Sequence, residues 1–192
     1  PWDYTHAPLT EQLDQQGVRK FELDLYWSPE HKRFDVLHVP GFDPHSRCPL
    51  FTDCLSEINA WSSKHPTHLP LFVFLEAKES SPPDGWALYY ERLEAAILSV
   101  FPRKGLFTPD DLRKEHPSLQ AALQKDGWPT LREVRGKVLF VLLVGGEKRD
   151  AYTQNDPAQQ DRLCFVTAET NESLWPIARA LIGRSEGDSA EV

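Results

Sequence analysis

Methionine is absent from all 192 residues, so the chain cannot begin at its own start codon and is expected to be a processed product or a fragment. No apolar run approaches the roughly 20 residues that a bilayer-spanning helix needs, and no signal peptide is visible. Cysteine is scarce, with Cys48, Cys54 and Cys164 alone. Neither a Cys-x-x-Cys pair nor a His-x-x-x-His helix occurs, which excludes the usual zinc sites. Basic residues are outnumbered, 21 against 29 acidic ones, giving a net charge of −8. That balance argues against nucleic-acid binding, which needs a basic face, and against strong electrostatic docking to anionic membranes. No glycine-rich phosphate loop follows a first strand, so a nucleotide-binding Rossmann fold is disfavoured.

What remains is a globular composition, 40% hydrophobic with a mean hydropathy of −0.48. The length suits one domain over 1–183 with a small acidic tail over 184–192. Cys48 and Cys54 lie close enough to close a short disulfide in an oxidising compartment, leaving Cys164 as a buried odd thiol. Three unpaired cysteines, with Cys54 on the apolar face of a helix, are the alternative; the disulfide is the favoured reading.

The most informative stretch is Phe21-Glu22-Leu23-Asp24-Leu25-Tyr26-Trp27. Strict alternation predicts a strand with Phe21, Leu23 and Leu25 on one face and Glu22, Asp24 and Tyr26 on the other. Two carboxylates at that spacing sit beside one spot, where they can chelate a divalent cation or share proton-transfer work. A half-exposed strand with its acidic face in water fits the same pattern. Upstream, Leu9–Gln16 reads as a short helix stopped by Gly17. Downstream, Phe34–Val39 reads as a second strand and Leu50–Lys64 as a helix broken at His65-Pro66.

Leu71–Lys78 is a near-continuous apolar run ending in charge, as expected of a doubly buried strand that opens into a polar site. A helix over 86–100, helix starts at Thr108 and Thr130, strands over 138–144 and 162–167, and a helix over 173–182 complete the pattern. Helices alternating with short buried strands predict a parallel sheet, either an α/β barrel or a doubly wound sheet. If the strands are parallel neighbours, Glu22, Asp24, His38, Glu76 and Lys78 meet at one mouth, where such folds keep their sites. Three carboxylates suit Ca²⁺ or Mg²⁺. His38 is then the natural acid or base, and Lys78 the cation for an anionic oxygen. Taken singly, each has a structural alternative: a hydrogen-bonded strand histidine, or a Glu76–Lys78 pair at a strand end. His6, His31, His45, His65, His68 and His116 fall in loops or beside prolines and are expected at the surface, with His6 able to order its loop.

Several segments together resemble one family. They are Tyr4-Thr-His-Ala-Pro-Leu9, Gln12-Leu13, Gly17-Val-Arg19, Phe21-Glu-Leu-Asp24, Leu37-His-Val-Pro40, Asp53-Cys-Leu55, Trp61 with His65-Pro66, and Phe72-Val-Phe-Leu-Glu-Ala-Lys78. The chain is similar to the bacterial Ca²⁺-dependent phosphatidylinositol-specific phospholipases C, densely over 4–78 and more weakly to about 167. The resemblance implies a TIM-like parallel β/α barrel, incomplete here, with about five strand candidates against the eight of a closed barrel. It implies Ca²⁺ held by Glu22, Asp24 and Glu76, and a phosphoinositide lipid substrate at a membrane surface.

On the same resemblance the inositol 2-hydroxyl attacks phosphorus, releasing diacylglycerol and a cyclic inositol phosphate. His38 matches the second catalytic histidine, and Lys78 a position that contacts phosphate. The family's Thr-His-Asn motif, with the first histidine and an asparagine ligand, would precede Pro1. Truncation at both ends is therefore expected, with weak Ca²⁺ binding and little hydrolysis by this piece. The parent protein is expected to be secreted or extracellular, monomeric and without a transmembrane segment. A glycerophosphodiester phosphodiesterase and a non-catalytic barrel that binds a lipid head group are the competing functions.

Overall fold

The structure, a computed structural model, describes residues 6–39, 46–156, 158–168 and 182–183. The expected helix over 173–182 and the acidic tail over 184–192 lie outside the described residues, apart from Ile182. So does His45.

Helix α1 (Leu9–Asp14) buries Leu9 and Leu13 and ends before Gly17, whose φ of +68° is a turn conformation open to glycine at no steric cost. Strand β1 (Lys20–Ser28) shows the expected alternation, with Phe21, Leu23 and Leu25 buried and Glu22 exposed. Strand β2 (Arg33–Val36) departs from expectation, because it runs antiparallel to β1 with Leu25 opposite Val36. The physical reason is the length of the connection: a parallel return needs a crossover of a dozen or more residues, and Pro29–Lys32 allows a hairpin only. His38 consequently lies past the end of β2, on a chain doubling back beside β1, and not at a parallel strand end.

Helix α2 (Phe51–Lys64) buries Cys54, Leu55, Ile58 and Trp61, the faces its spacing predicts. Cys48 and Cys54 are joined by a disulfide that closes the entry to this helix, and Cys164 is free and buried. Strand β3 (Leu71–Ala77) follows, then α3 (Gly85–Val100), the short α4 (Pro109–Arg113), α5 (Leu119–Asp126), β4 (Val138–Leu142), α6 (Gly146–Thr153), β5 (Cys164–Ala168) and β6 (Ile182–Gly183). The Thr108 capping box forms with Asp111 as read from the sequence. Thr130 makes half of such a box, its N–H and Oγ1–H both donating to Glu133 Oε2 while Glu133 N–H donates to Thr130 O, around turns and no helix.

The sheet order is β2-β1-β3-β4-β5-β6, with every neighbour parallel except β2. Among the described residues it does not close on itself, and the fold is an incomplete barrel of the β/α type. One sheet face, including Leu23, Leu25, Val73, Leu75, Phe140 and Val166, packs with α1, α2 and α3 into the larger core. The other face carries a second cluster, Phe74, Leu139, Val141 and Phe165, covered by Phe107, Leu112, Leu119 and Val134. Both faces of β3 and β4 are thereby removed from water, which explains their unbroken apolar sequences. On β3 and β5 the apolar residues of this second face end at Phe74 and Phe165, with Leu143 one step beyond Val141 on the β4 side. One step further along β3 stands Glu76, and there the polar site begins.

Candidate metal centre

Strands β1 and β3 are parallel neighbours in a register that sets Asp24 directly opposite Glu76. Side chains two apart on a strand share a face, so Glu22, Asp24 and Tyr26 stand on the same side as Glu76 and Lys78. The result is a cluster in which one carboxylate oxygen each from Glu22, Asp24 and Glu76 lies within 4.8 Å of the others. Lys78 Nζ sits 2.9 Å from Glu76 Oε2 and 3.4 Å from Asp24 Oδ1. At 3.4 Å the second contact is an ion pair in length and not a well-formed hydrogen bond. Asp24 Oδ1 is thus buried with no hydrogen-bond donor.

The electrostatics follow from this crowding. Burial, reinforced by the like charge of Glu76, pushes the Asp24 carboxyl above its usual range against the opposing pull of Lys78 and His38. Burial works to lower the pKa of Lys78, but its hydrogen bond to Glu76 and the charges of Asp24 and Glu76 outweigh it and raise the pKa. Tyr26 is raised by burial together with the Asp24, Glu79 and Glu76 charges, against Lys78.

His38 stands outside the three-carboxylate cluster and is exposed. Two backbone contacts bring it to the rim. Leu37 N–H donates to Asp24 O at 3.2 Å, and Tyr26 Oη–H donates to His38 O at 3.3 Å. Its charge reaches Asp24. Tyr26 as the anchor of this segment was not legible, although its place on the acidic face was. Glu79, also unassigned from sequence, accepts the backbone N–H of Trp27 and ties the end of β1 to the end of β3. Of the six histidines assigned to the surface, His68 is a correction: it is 7% exposed. Ser62 Oγ lies 2.7 Å from its Nε2, and its Nδ1 bonds Leu69 O.

The donor set fits a hard divalent cation. All three groups are anionic oxygens, as Ca²⁺ prefers, and Asp24 Oδ1, buried without a hydrogen bond, has only the 3.4 Å ion pair with Lys78. The three carboxylates outweigh the Lys78 ammonium that pairs with two of them, an excess of negative charge that a divalent cation would offset.

An open, mostly parallel sheet with carboxylates gathered at one mouth is the arrangement of a β/α-barrel site. The family model for Ca²⁺-dependent phosphoinositide phospholipase C matches residues 28–179. The chain belongs to that family, whose cofactor is Ca²⁺. The matched span contains His38, Glu76 and Lys78 and begins just after Glu22 and Asp24.

Among solved structures the chain resembles the Ca²⁺-dependent phosphatidylinositol-specific phospholipase C of Streptomyces antibioticus, at 21% identity and a TM-score of 0.69, over 93% of this chain and 69% of that one. It also resembles the calcium-dependent phosphoinositol-specific enzyme of a Pseudomonas species, at 22% identity and a TM-score of 0.66, over 94% and 76%. A myo-inositol complex of the Pseudomonas protein matches at 22% and 0.65, over the same shares. These identities establish a shared fold, the TIM-type barrel, incomplete here. No curated protein sequence matches.

Proposed function

We propose that this chain carries the Ca²⁺ site and part of the catalytic apparatus of a phosphatidylinositol-specific phospholipase C. The observation that supports the reading is the convergence of Glu22, Asp24 and Glu76 beside Lys78, in a chain of that family. Glu22, Asp24 and Glu76 would hold the ion. The bound ion supplies Lewis acidity that lowers the pKa of the inositol 2-hydroxyl and offsets charge developing on phosphate.

This chain's groups supply a further part, at the phosphate and at the leaving oxygen, and the 2-hydroxyl proton is assigned to the family's first histidine. Lys78, held between Asp24 and Glu76, aims its ammonium at a non-bridging phosphate oxygen. His38, fixed through its backbone by Tyr26, gives a proton to the departing diacylglycerol oxygen or stabilises the charge forming there. The products are diacylglycerol and a cyclic inositol phosphate. The myo-inositol bound to the Pseudomonas relative supports an inositol head group. The site would work at a lipid surface outside the cell, a setting in which the Cys48–Cys54 disulfide persists. Among the described residues no helix is long and apolar enough to cross a membrane.

The test is phosphatidylinositol cleavage with Ca²⁺ and with chelator. It is run on the chain itself and on the chain extended by a Thr-His-Asn segment upstream of Pro1, with His38→Ala in parallel. Cleavage to the cyclic phosphate that needs both Ca²⁺ and His38 is expected of the extended chain, with a loss of at least about 100-fold in the variant. Turnover indifferent to chelator would remove the three carboxylates as ligands. Release of glycerol 3-phosphate from a glycerophosphodiester would move the assignment to that hydrolase class.

A further inference from the structure

The end of β3 carries both Glu76 and Lys78, yet the sheet stops supporting it on one side. Along the edge of β3 that faces β4, Leu75 O accepts the Leu143 N–H at 2.9 Å, the last backbone bond between these two strands. By the period of two, the next acceptor on that edge is Ala77 O, and its ladder donor would be the N–H of Gly145. The chain has already left the sheet there, turning through Gly145 and Gly146, with φ +50° at Gly146, into α6. Lys148, near the start of α6, reaches back and its Nζ donates to Ala77 O at 2.9 Å. The same ammonium lies 4.8 Å from the ring centre of Trp86, in the first turn of α3. Burial lowers its pKa, the Glu79 and Glu76 charges oppose that, and Lys78 adds to it.

We propose that Lys148 is the positioning residue of the metal centre, replacing the missing strand donor at Ala77 O so that Glu76 and Lys78 stay in register with Asp24. The inference rests on the calcium-site reading above for its metal arm and on the sheet geometry alone for the rest. On the other edge of β3, Lys78 N–H bonds Leu25 O at 3.0 Å. With both edges held, the strand end that presents the ligand is fixed between its neighbours. Lys148 touches neither metal nor substrate in this role.

Electrostatics give the proposal a sign that a remote charge would reverse. A cation near Glu76 repels Ca²⁺, so removing it for charge alone tightens binding. Removing a positioning group loosens it, by about tenfold or more for a partner just outside the ligands.

The experiment compares wild type with Lys148→Met, which keeps the stem against Trp86, and with Lys148→Gln as a second neutral variant. Two readouts are taken on each: amide hydrogen exchange without metal, and Ca²⁺ titration by calorimetry. The expected result is exchange at Lys78 faster by about tenfold, with the centre of β3 unchanged. Weaker Ca²⁺ binding is expected beside it, and Lys148→Arg, which keeps donor and charge, restores both. Unchanged exchange at the strand end, or tighter Ca²⁺ binding in the neutral variants, overturns the proposal. Absence of Ca²⁺ binding by the wild type would instead sink the metal-site reading, and the exchange arm would still decide what Lys148 does.

Discussion

Asp24 is the residue on which the most forces meet. Its carboxyl is buried, faces Glu76, and has Lys78 as its nearest cation. Asp24→Asn removes one anionic ligand and is expected to weaken Ca²⁺ affinity by at least about tenfold. Thermal stability without metal should hold or rise, because the repulsion from Glu76 goes with the charge. Calcium titration beside a melting curve in chelator checks both halves.

His68 gives the pH prediction. Burial, with Arg19 and His65 adding like charge, depresses its pKa despite its bond to Leu69 O, and in the neutral ring whose Nδ1–H donates to Leu69 O, Nε2 accepts from Ser62 Oγ–H. A depressed folded value means that the unfolded chain binds the proton more readily. Stability from this group is therefore complete above the ordinary histidine value of about 6.5 and is lost as pH falls through the folded one. Melting temperature followed from pH 8 to pH 5 should drop more steeply in wild type than in His68→Gln, by a few degrees. Burial of His68 was not legible because it depends on Ser62, six residues back on α2; the flanking prolines pointed to a surface loop.

At the scale of elements, the strands that bear the site were readable, and for one reason. A doubly buried strand must be apolar throughout, so the first charges after Leu75 mark where cover ends. Glu76 and Lys78 announced the mouth in that way. The direction of β2 was missed although the short turn before it already forbade a parallel return. Helix α6 was missed because Gly146–Thr153 is polar nearly throughout and buries only Tyr152, leaving no stripe to detect.

Two element junctions carry predictions. The Cys48–Cys54 bridge closes a six-residue separation at the start of α2. Loop-closure entropy then assigns it about 2 kcal/mol, so Cys48→Ser should lose that amount in denaturant unfolding with Ca²⁺ affinity unchanged. Gly136 has φ +71°, and a Cβ there would collide with Pro66 O. Gly136→Ala should cost about 2 kcal/mol or more, read from the same unfolding curves.

For the whole molecule, the calcium site proposed above makes the ion a ligand of the folded state alone. Saturation at 100 times the dissociation constant should raise stability by about 2.7 kcal/mol, seen as a higher melting temperature that chelator reverses. Mg²⁺, which tolerates fewer geometries and dehydrates reluctantly, should do less. The carboxylates that converge were legible as Glu22, Asp24 and Glu76. What the sequence hid was the apparatus that holds them, Tyr26, Glu79 and Lys148, whose roles come from neighbours far along the chain.

That distance has a kinetic meaning. Asp24 and Glu76 face each other across β1 and β3, yet the hairpin, α2 and all the chain between them must be traversed before they meet. Closing so long a loop is the slow kind of event in folding. On the proposed calcium site, the ion would serve as a clock hand for this protein. In a refolding experiment its uptake should lag helix formation and coincide with the burial of Trp61, because the site comes into being only when the first crossover shuts.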